Sequence, residues 1–146
     1  RAPRHSGHRL PVCGAGAALR MTAESFQREL AQSQALQRGL HRYLYALMAQ
    51  FAQTAKEASP EDPNVSDTLG WIYYKKGLFE SAYPLIAEAA GKAKENAVIR
   101  YHHGMVLVKK GKNKEAAGEL KAALSLNPEF PGAEEAKKTF DTLKSF

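Results

Sequence analysis

A period of 34 residues runs through the second half of the chain. Small residues recur at this offset in four pairs, namely Gly70 and Gly104, Gly77 and Gly111, Ala82 and Ala116, and Ala89 and Ala123. A period of this length is typical of repeat proteins in which each unit is a pair of helices that buries its apolar face against the next unit. The sequence therefore predicts a stack of helix pairs and favours a binding scaffold over an enzyme.

The composition allows this architecture and limits the alternatives. The chain has 146 residues, of which 44% are hydrophobic, enough for the core of a short repeat stack. No apolar run reaches the roughly 18 residues of a membrane-spanning helix, so we expect no membrane span. Much of the net charge of +6 comes from arginines among the first 20 residues, which contain no acid. We therefore expect no nucleic-acid partner, because this charge belongs to a tail.

Residues 1–20 are predicted to form a flexible basic leader. They are rich in Gly, Pro and Ala and show no periodicity. They contain no apolar stretch of the kind that a signal peptide needs, which favours the cytoplasm without fixing the compartment. Cys13 is the one cysteine, so an internal disulfide is excluded.

Residues 21–59 are predicted to be helical, either as one long helix or as a degenerate helix pair joined near Gly39. Thr22 has the features of an N-cap, and apolar residues recur every three to five positions along the segment. Gly39 is the weak point, because Gly costs about 1 kcal/mol relative to Ala in a helix interior. Pro60 ends the segment, since proline cannot continue a helix.

Two helix pairs and a final helix are predicted to follow. Their expected bounds are 64–76 and 78–93 around Gly77, 96–110 and 112–126 around Gly111, and about 133–145. The final helix has acidic residues in its first turn and Lys144 in its last, an order that the helix dipole favours. An amphipathic helix in this position is expected to cover the open end of the stack.

The repeated residues resemble the tetratricopeptide repeat. The matching positions are Leu69, Gly70, Tyr73, Gly77, Phe79, Ala82 and Ala89 in one unit, and Gly104, Leu107, Gly111, Ala116, Leu120, Ala123 and Pro128 in the next. The resemblance implies an all-α solenoid of antiparallel helix pairs, with two units at 63–96 and 97–130, a degenerate helical unit before them and a capping helix at 131–146. Ser66 and Arg100 depart from the family, which has a large aromatic residue there.

Residues 20–58 also resemble the long dimerisation helix of Crp/Fnr-type transcription regulators. The similar residues are Arg20 to Leu30, then Tyr43, Ala46, Leu47, Gln50 and Ala52 to Ala55. Neither a β-roll nor a helix-turn-helix accompanies this helix, so the resemblance implies no nucleotide or DNA binding. It implies only a long helix that can self-associate.

The tetratricopeptide resemblance implies a peptide-binding groove lined by the first helix of each unit. The groove positions are Asn64, Asp67, Trp71, Tyr74 and Lys75 in the first unit, and Val98, Tyr101, His102, Met105, Val108 and Lys109 in the second. The clamp by which one subfamily holds a carboxylate is absent, which argues against a chaperone tail as ligand. A groove of aromatic, apolar and basic residues suits an amphipathic helix or an apolar peptide with some acidic character. Alternatively, Trp71 and Tyr74 simply pack on neighbouring helices.

No residue pattern predicts catalysis, a metal or a cofactor. His102 and His103 are adjacent, so they face different sides of a helix and cannot chelate one metal ion at the usual i, i+4 spacing. The sequence therefore predicts a non-enzymatic scaffold that binds a protein or peptide partner. The alternative is a self-assembling structural protein in which the repeats and helix 21–58 stack between chains, because two units are few for a repeat array.

Overall fold

The computed structural model describes residues 22–144, which are helical with short connections. The helices of this range are α1 (Ala23–Gln32), α2 (Gln34–Ala58), α3 (Pro63–Lys75), α4 (Phe79–Lys92), α5 (Ala97–Lys109), α6 (Asn113–Leu126) and α7 (Ala133–Lys144). The predicted basic leader lies outside the described residues, as do the last two residues of the predicted capping helix. Two compact units are present, one up to Leu40 and one from His41 onward. None of the described helices is both long and apolar enough to cross a membrane.

The break between α1 and α2 lies at Ser33 and not near Gly39. Ser33 has an extended backbone, and its hydroxyl oxygen accepts the Leu36 N–H at 3.2 Å, which caps the new helix. The Gln37 amide reaches back to the Leu30 carbonyl oxygen at 2.8 Å. Gly39 remains inside α2. The sequence expectation of a joint near Gly39 was wrong, because a serine cap outweighs the modest helix penalty of one glycine.

A side-chain cap starts the first helix of each repeat. The Asp62 carboxylate accepts the Asn64 N–H at 2.8 Å and begins α3. The Asn96 side-chain oxygen accepts two N–H groups of the first turn of α5, at 3.0 and 3.2 Å. Caps of this kind contribute about 1 kcal/mol each. The first helices of the two repeats therefore begin one repeat length apart, at Pro63 and Ala97.

A left-handed glycine closes each helix pair. Gly77 has φ 78° and Gly111 has φ 72°, values that L side chains rarely adopt. In each turn, an N–H just after the glycine bonds back to a carbonyl oxygen in the last turn of the first helix, from Leu78 to Tyr73 and from Lys112 to Leu107. The chain therefore reverses in the same way in both pairs.

Small residues allow the two helices of each pair to pack closely. A Cβ atom at Gly70 would lie 2.5 Å from Ile86 Cγ1, and one at Gly104 would lie 2.8 Å from the end of Leu120. The four alanines that recur at the repeat offset are fully buried. The period thus records positions at which neighbouring helices leave no room for a larger side chain.

Residues 41–58 of α2 pack on α3 in the place of a preceding unit's second helix. Ala49 and Ala52 share a buried cluster with Leu69 and Ile72. The Lys56 ammonium donates to Ser66 Oγ at 2.6 Å and pairs with Glu88 at 3.2 Å. A charged link therefore occupies the region where the family has a large aromatic side chain.

Helix α7 packs on α6 and contacts α5 at the other end of the stack. Its Ala133 and Ala136 join Tyr101, Met105 and Phe130 in the largest buried cluster. In this position α7 does what the first helix of a third unit would do. The described part of the capping helix, Ala133–Lys144, therefore covers the apolar end of the second repeat.

Candidate peptide-binding groove

The first helices of successive units lie side by side, because α3 contacts α5 and α5 contacts α7. All the residues predicted for the groove lie on α3 and α5. Helix α7 adds residues to this surface that the sequence-based prediction did not include. We call the face formed by α3, α5 and α7 the groove surface, and its members are Asn64, Trp71, Tyr74, Lys75, Val108, Lys109 and Glu135.

An aromatic stack crosses from α3 to α5. The Trp71 ring is parallel to that of Tyr74, with centroids 4.5 Å apart and 3° between planes. The same indole stacks on His102 of α5, with centroids 3.8 Å apart. Tyr101 lies tilted against both Trp71 and His102. Contacts of this kind contribute about 0.5–1.5 kcal/mol beyond area burial, so the stack holds the two helices in fixed register.

A polar link lies beneath the stack. Nδ1 of His102 is 2.8 and 2.9 Å from the two carboxylate oxygens of Asp67, and both side chains are buried. An ionised carboxylate only accepts hydrogen bonds, so Nδ1 donates. The pair thereby joins α3 to α5 and fixes the orientation of the imidazole under Trp71.

A second polar link joins α5 to α7. The Tyr101 hydroxyl donates to the Glu135 carboxylate at 2.7 Å. Burial raises the pKa of Tyr101 far above its ordinary value, and the bond to the Glu135 carboxylate raises it further. The pKa of Tyr74 is also raised, first by burial and then by the charge of Glu135. Both phenols therefore stay neutral at physiological pH.

The neighbouring helices cover four of the predicted groove residues. Asp67, Tyr101, His102 and Met105 are buried, between 3% and 8% exposed. Half-buried residues are Trp71, Tyr74, Val98 and Val108, and exposed residues are Asn64, Lys75 and Lys109. Trp71 and Tyr74 thus pack on neighbouring side chains and still present part of their surface. Ligand contact by this set stays a prediction.

Two lysines face the aromatic residues of this surface. The Lys75 ammonium is 4.7 Å from the Trp71 ring centroid and 5.9 Å from that of Tyr74. The Lys109 ammonium is 5.8 Å from the Phe79 ring. Within the described range, neither lysine has an acidic partner. Their charge is therefore available to an acidic group from outside.

The sequence-based prediction missed Glu135 on this surface and Phe79, which lies beside it at the start of α4. Glu135 follows Tyr101 by one repeat length, and Tyr101 follows Asp67 by the same interval. Extending the period into the last helix would have found it. Phe79 was used only as a packing position of the repeat, and its contact with Tyr74, at 5.4 Å between centroids, depends on the turn at Gly77.

The two adjacent histidines face different surroundings, as predicted. His102 faces Asp67, whereas Nδ1 of His103 is 3.6 Å from the Glu119 carboxylate on α6. In residues 22–144, no three side chains of His, Cys, Asp or Glu are grouped so that they could hold a metal ion.

No protein-family model matches the sequence, and no curated protein matches it. Solved structures do share its fold. The Arabidopsis OM64 tetratricopeptide domain is similar with a TM-score of 0.63 and 18% identity, over 84% of this chain and 96% of that chain. The Yersinia enterocolitica type III secretion translocator chaperone SycD is similar with a TM-score of 0.62 and 15% identity, over 90% and 94%.

A third similar structure is that of PcrH in complex with the chaperone binding region of PopD. Its TM-score is 0.60 and its identity 17%, over 87% of this chain and 97% of that chain. Together, these similarities show that the chain has a tetratricopeptide-like fold, an all-α stack of helix pairs. The resemblance of residues 20–58 to Crp/Fnr-type regulators stays a prediction.

Proposed function

We propose that this protein is a non-enzymatic scaffold that binds a peptide or helix of a partner protein on the groove surface. The observation that carries the proposal is the aromatic stack of Tyr74, Trp71 and His102, which remains partly exposed and has Lys75 over it. Tyrosine and tryptophan are enriched among residues that dominate binding energies, because they bury a large area with few rotatable bonds. Two proteins of similar fold give support, since PcrH binds PopD and SycD binds a peptide of YopD.

The layer below the groove surface supports binding through rigidity. The Asp67–His102 and Tyr101–Glu135 bonds hold the three helices together without a ligand. A surface that is already ordered loses little conformational entropy when a partner binds. Binding energy can therefore go into new contacts.

The charge of the groove surface favours a partner with acidic side chains. Lys75 and Lys109 lie at the C-terminal ends of α3 and α5. An amphipathic helix with apolar residues against Trp71 and Tyr74 and acidic residues toward the lysines fits this arrangement.

Tryptophan fluorescence tests the proposal directly, because Trp71 is the one tryptophan of the chain. Peptides selected from a displayed library would be titrated into the full chain while Trp71 emission is recorded. We expect the double variant Lys75→Glu and Lys109→Glu to weaken binding at least about tenfold, or 1.4 kcal/mol. Lys121→Glu, on the exposed side of α6, is the matched control. Equal binding by both variants would exclude the groove surface as the binding site.

A second candidate function is self-assembly through α2. Its side chains Tyr43, Leu44, Leu47, Met48 and Phe51 are between 37% and 68% exposed. Leu44, Leu47, Met48 and Phe51 follow helical spacing on a face next to that of the buried Ala49 and Ala52, and no charged residue occurs from Tyr43 to Ala55. Exposed apolar patches of this kind mark interaction sites. An antiparallel second copy would place Leu44 opposite Phe51 and Leu47 opposite Met48.

Light scattering over a concentration series tests self-assembly. We expect a dimer that dissociates on dilution and that is lost in Phe51→Glu. Gln53→Glu, away from the apolar stripe on the same helix, is the control and should leave the mass unchanged. A monomer at every concentration would reject this candidate and leave α2 free for another partner.

A further inference from the structure

A cavity of about 360 Å³ lies where α2 meets the end of α3. Its lining residues are Arg42, Tyr45 and Ala46 from α2, and Lys75 and Lys76 from the end of α3. The volume is within the range of about 300–1,000 Å³ that is usual for ligand pockets. A phosphate or carboxylate group therefore fits together with part of the side chain that carries it.

The charge of this cavity is unbalanced. Arg42, Lys75 and Lys76 line it, and no acidic residue does. None of these three cations forms an ion pair with any residue between 22 and 144. The dipole of α3 accounts for lysines at its C-terminus, but not for Arg42, which comes from another helix. Three like charges around one cavity repel each other, and a bound anion would relieve that repulsion.

The side-chain chemistry suits an oxyanion. A guanidinium can donate two parallel hydrogen bonds to a carboxylate or phosphate, and lysine ammonium groups add point charges. Tyr45 also lines the cavity and is half-buried. Its hydroxyl has no hydrogen-bond partner among the described residues and can donate as well.

Lys75 connects this cavity with the groove surface. It lines the cavity, and its ammonium is also 4.7 Å from the Trp71 ring. A ligand that crosses Trp71 therefore lies beside one of the residues that line the cavity. An anion that draws Lys75 toward Arg42 also changes the electric field at the indole.

We propose that this cavity binds an oxyanion, either a carboxylate or a phosphate group, carried by the peptide that occupies the groove surface. The proposal rests on the peptide-binding function proposed above and names the chemistry of one end of the partner. Arg42 and Lys76 bind the oxyanion, and Lys75 passes from the indole to the anion when the partner arrives.

Trp71 emission at constant ionic strength gives the test. The full chain would be titrated with inorganic phosphate and with three forms of one selected peptide, carrying Glu, phosphoserine or Gln at the same position. We expect the Glu or the phosphoserine form to bind at least tenfold more tightly than the Gln form. Arg42→Ala should remove this preference, whereas Lys121→Ala should keep it. Whichever of the Glu and phosphoserine peptides gains more affinity over the Gln peptide identifies the oxyanion as a carboxylate or a phosphate.

The outcomes separate this inference from the proposed function. Peptides that bind equally with Glu, phosphoserine or Gln would overturn the inference and leave the groove function standing. Saturable binding of inorganic phosphate that depends on Arg42, without binding of any peptide, would overturn the assignment to a peptide partner. Tighter binding of a DNA duplex than of the peptides would overturn it too. A linear response to phosphate that chloride reproduces would show salt screening and no site.

Discussion

The carboxylate of Asp67 on α3 accepts a hydrogen bond from Nδ1 of His102 on α5, and both of its oxygens lie within 2.9 Å of that nitrogen. The bond spans two repeats, is buried and lies under the aromatic stack of the groove surface. It therefore contributes to the stability of the stack and to the order of the groove surface.

Loss of this bond should destabilise the fold. We expect Asp67→Ala to lower the free energy of unfolding by about 1–3 kcal/mol, because it leaves the buried His102 without its acceptor. Urea unfolding measures the change. Thr68→Ala, at the exposed neighbouring position, should stay within about 0.5 kcal/mol of the parent protein. If the two variants unfold alike, the Asp67–His102 bond contributes nothing to stability.

Two glycines of the second repeat should respond in opposite ways to alanine. Gly104→Ala places a Cβ 2.8 Å from the buried Leu120, so we expect a loss of about 1–3 kcal/mol. Gly118 lies in α6 with nothing within 4 Å of such a Cβ. There we expect a gain of up to about 1 kcal/mol, since alanine is the better helix former. Thermal unfolding of both variants measures these changes. A stability gain for Gly104→Ala would contradict the close-packing argument.

The stability of the protein should depend on pH through Glu119. Its pKa is lowered below 4.5, first by the His103 imidazole and also by the Arg100 guanidinium at 2.8 Å. The pKa of Glu119 is lower in the folded than in the unfolded protein. The ionised carboxylate therefore contributes its full share to stability above the unfolded-state pKa, and this share is lost as the pH falls through the folded-state pKa. Urea unfolding from neutral pH to about pH 3 should show a smaller decline for Glu119→Gln. Glu134→Gln, whose side chain is 90% exposed, is the control and should keep the parent slope.

Lys56 should hold α2 on the repeats. Its ammonium contacts Ser66 and Glu88, which belong to α3 and α4. We expect Lys56→Ala to cost about 1 kcal/mol and to raise amide hydrogen exchange in residues 41–58. Lys121→Ala, which removes an exposed lysine of α6, should leave that exchange unchanged. Equal exchange in both variants would mean that Ala49 and Ala52 suffice to dock the helix.

The helix pairs could be predicted from the sequence because close packing requires small residues, and these recur at the repeat offset. A side chain at Gly70 or Gly104 would press against the crossing helix, and one at Gly77 or Gly111 would be strained by the positive φ. No such pattern indicates the break at Ser33, because serine is also found inside helices and the cap forms only once the chain has turned. Local signals therefore predicted the stack and missed the joint.

The groove surface could be predicted only in outline. Its positions follow from the repeat, but burial depends on which helix comes next. Tyr101 is covered because α7 brings Glu135 to its hydroxyl, and His102 because Trp71 lies over its ring. The cavity at Arg42 combines residues of α2 and α3 that no repeat relates, so the period could not indicate it.

The two polar links between first helices lie one repeat apart along the stack, from Asp67 to His102 and from Tyr101 to Glu135. In a repeat protein, stability is a sum of unit terms and nearest-neighbour terms, and strong coupling between neighbours suppresses partly unfolded states. Each link joins two neighbouring units, and neither lies within one unit. Their contribution to stability therefore belongs to the nearest-neighbour term. Loss of α7 should therefore release the second repeat and, through it, the first.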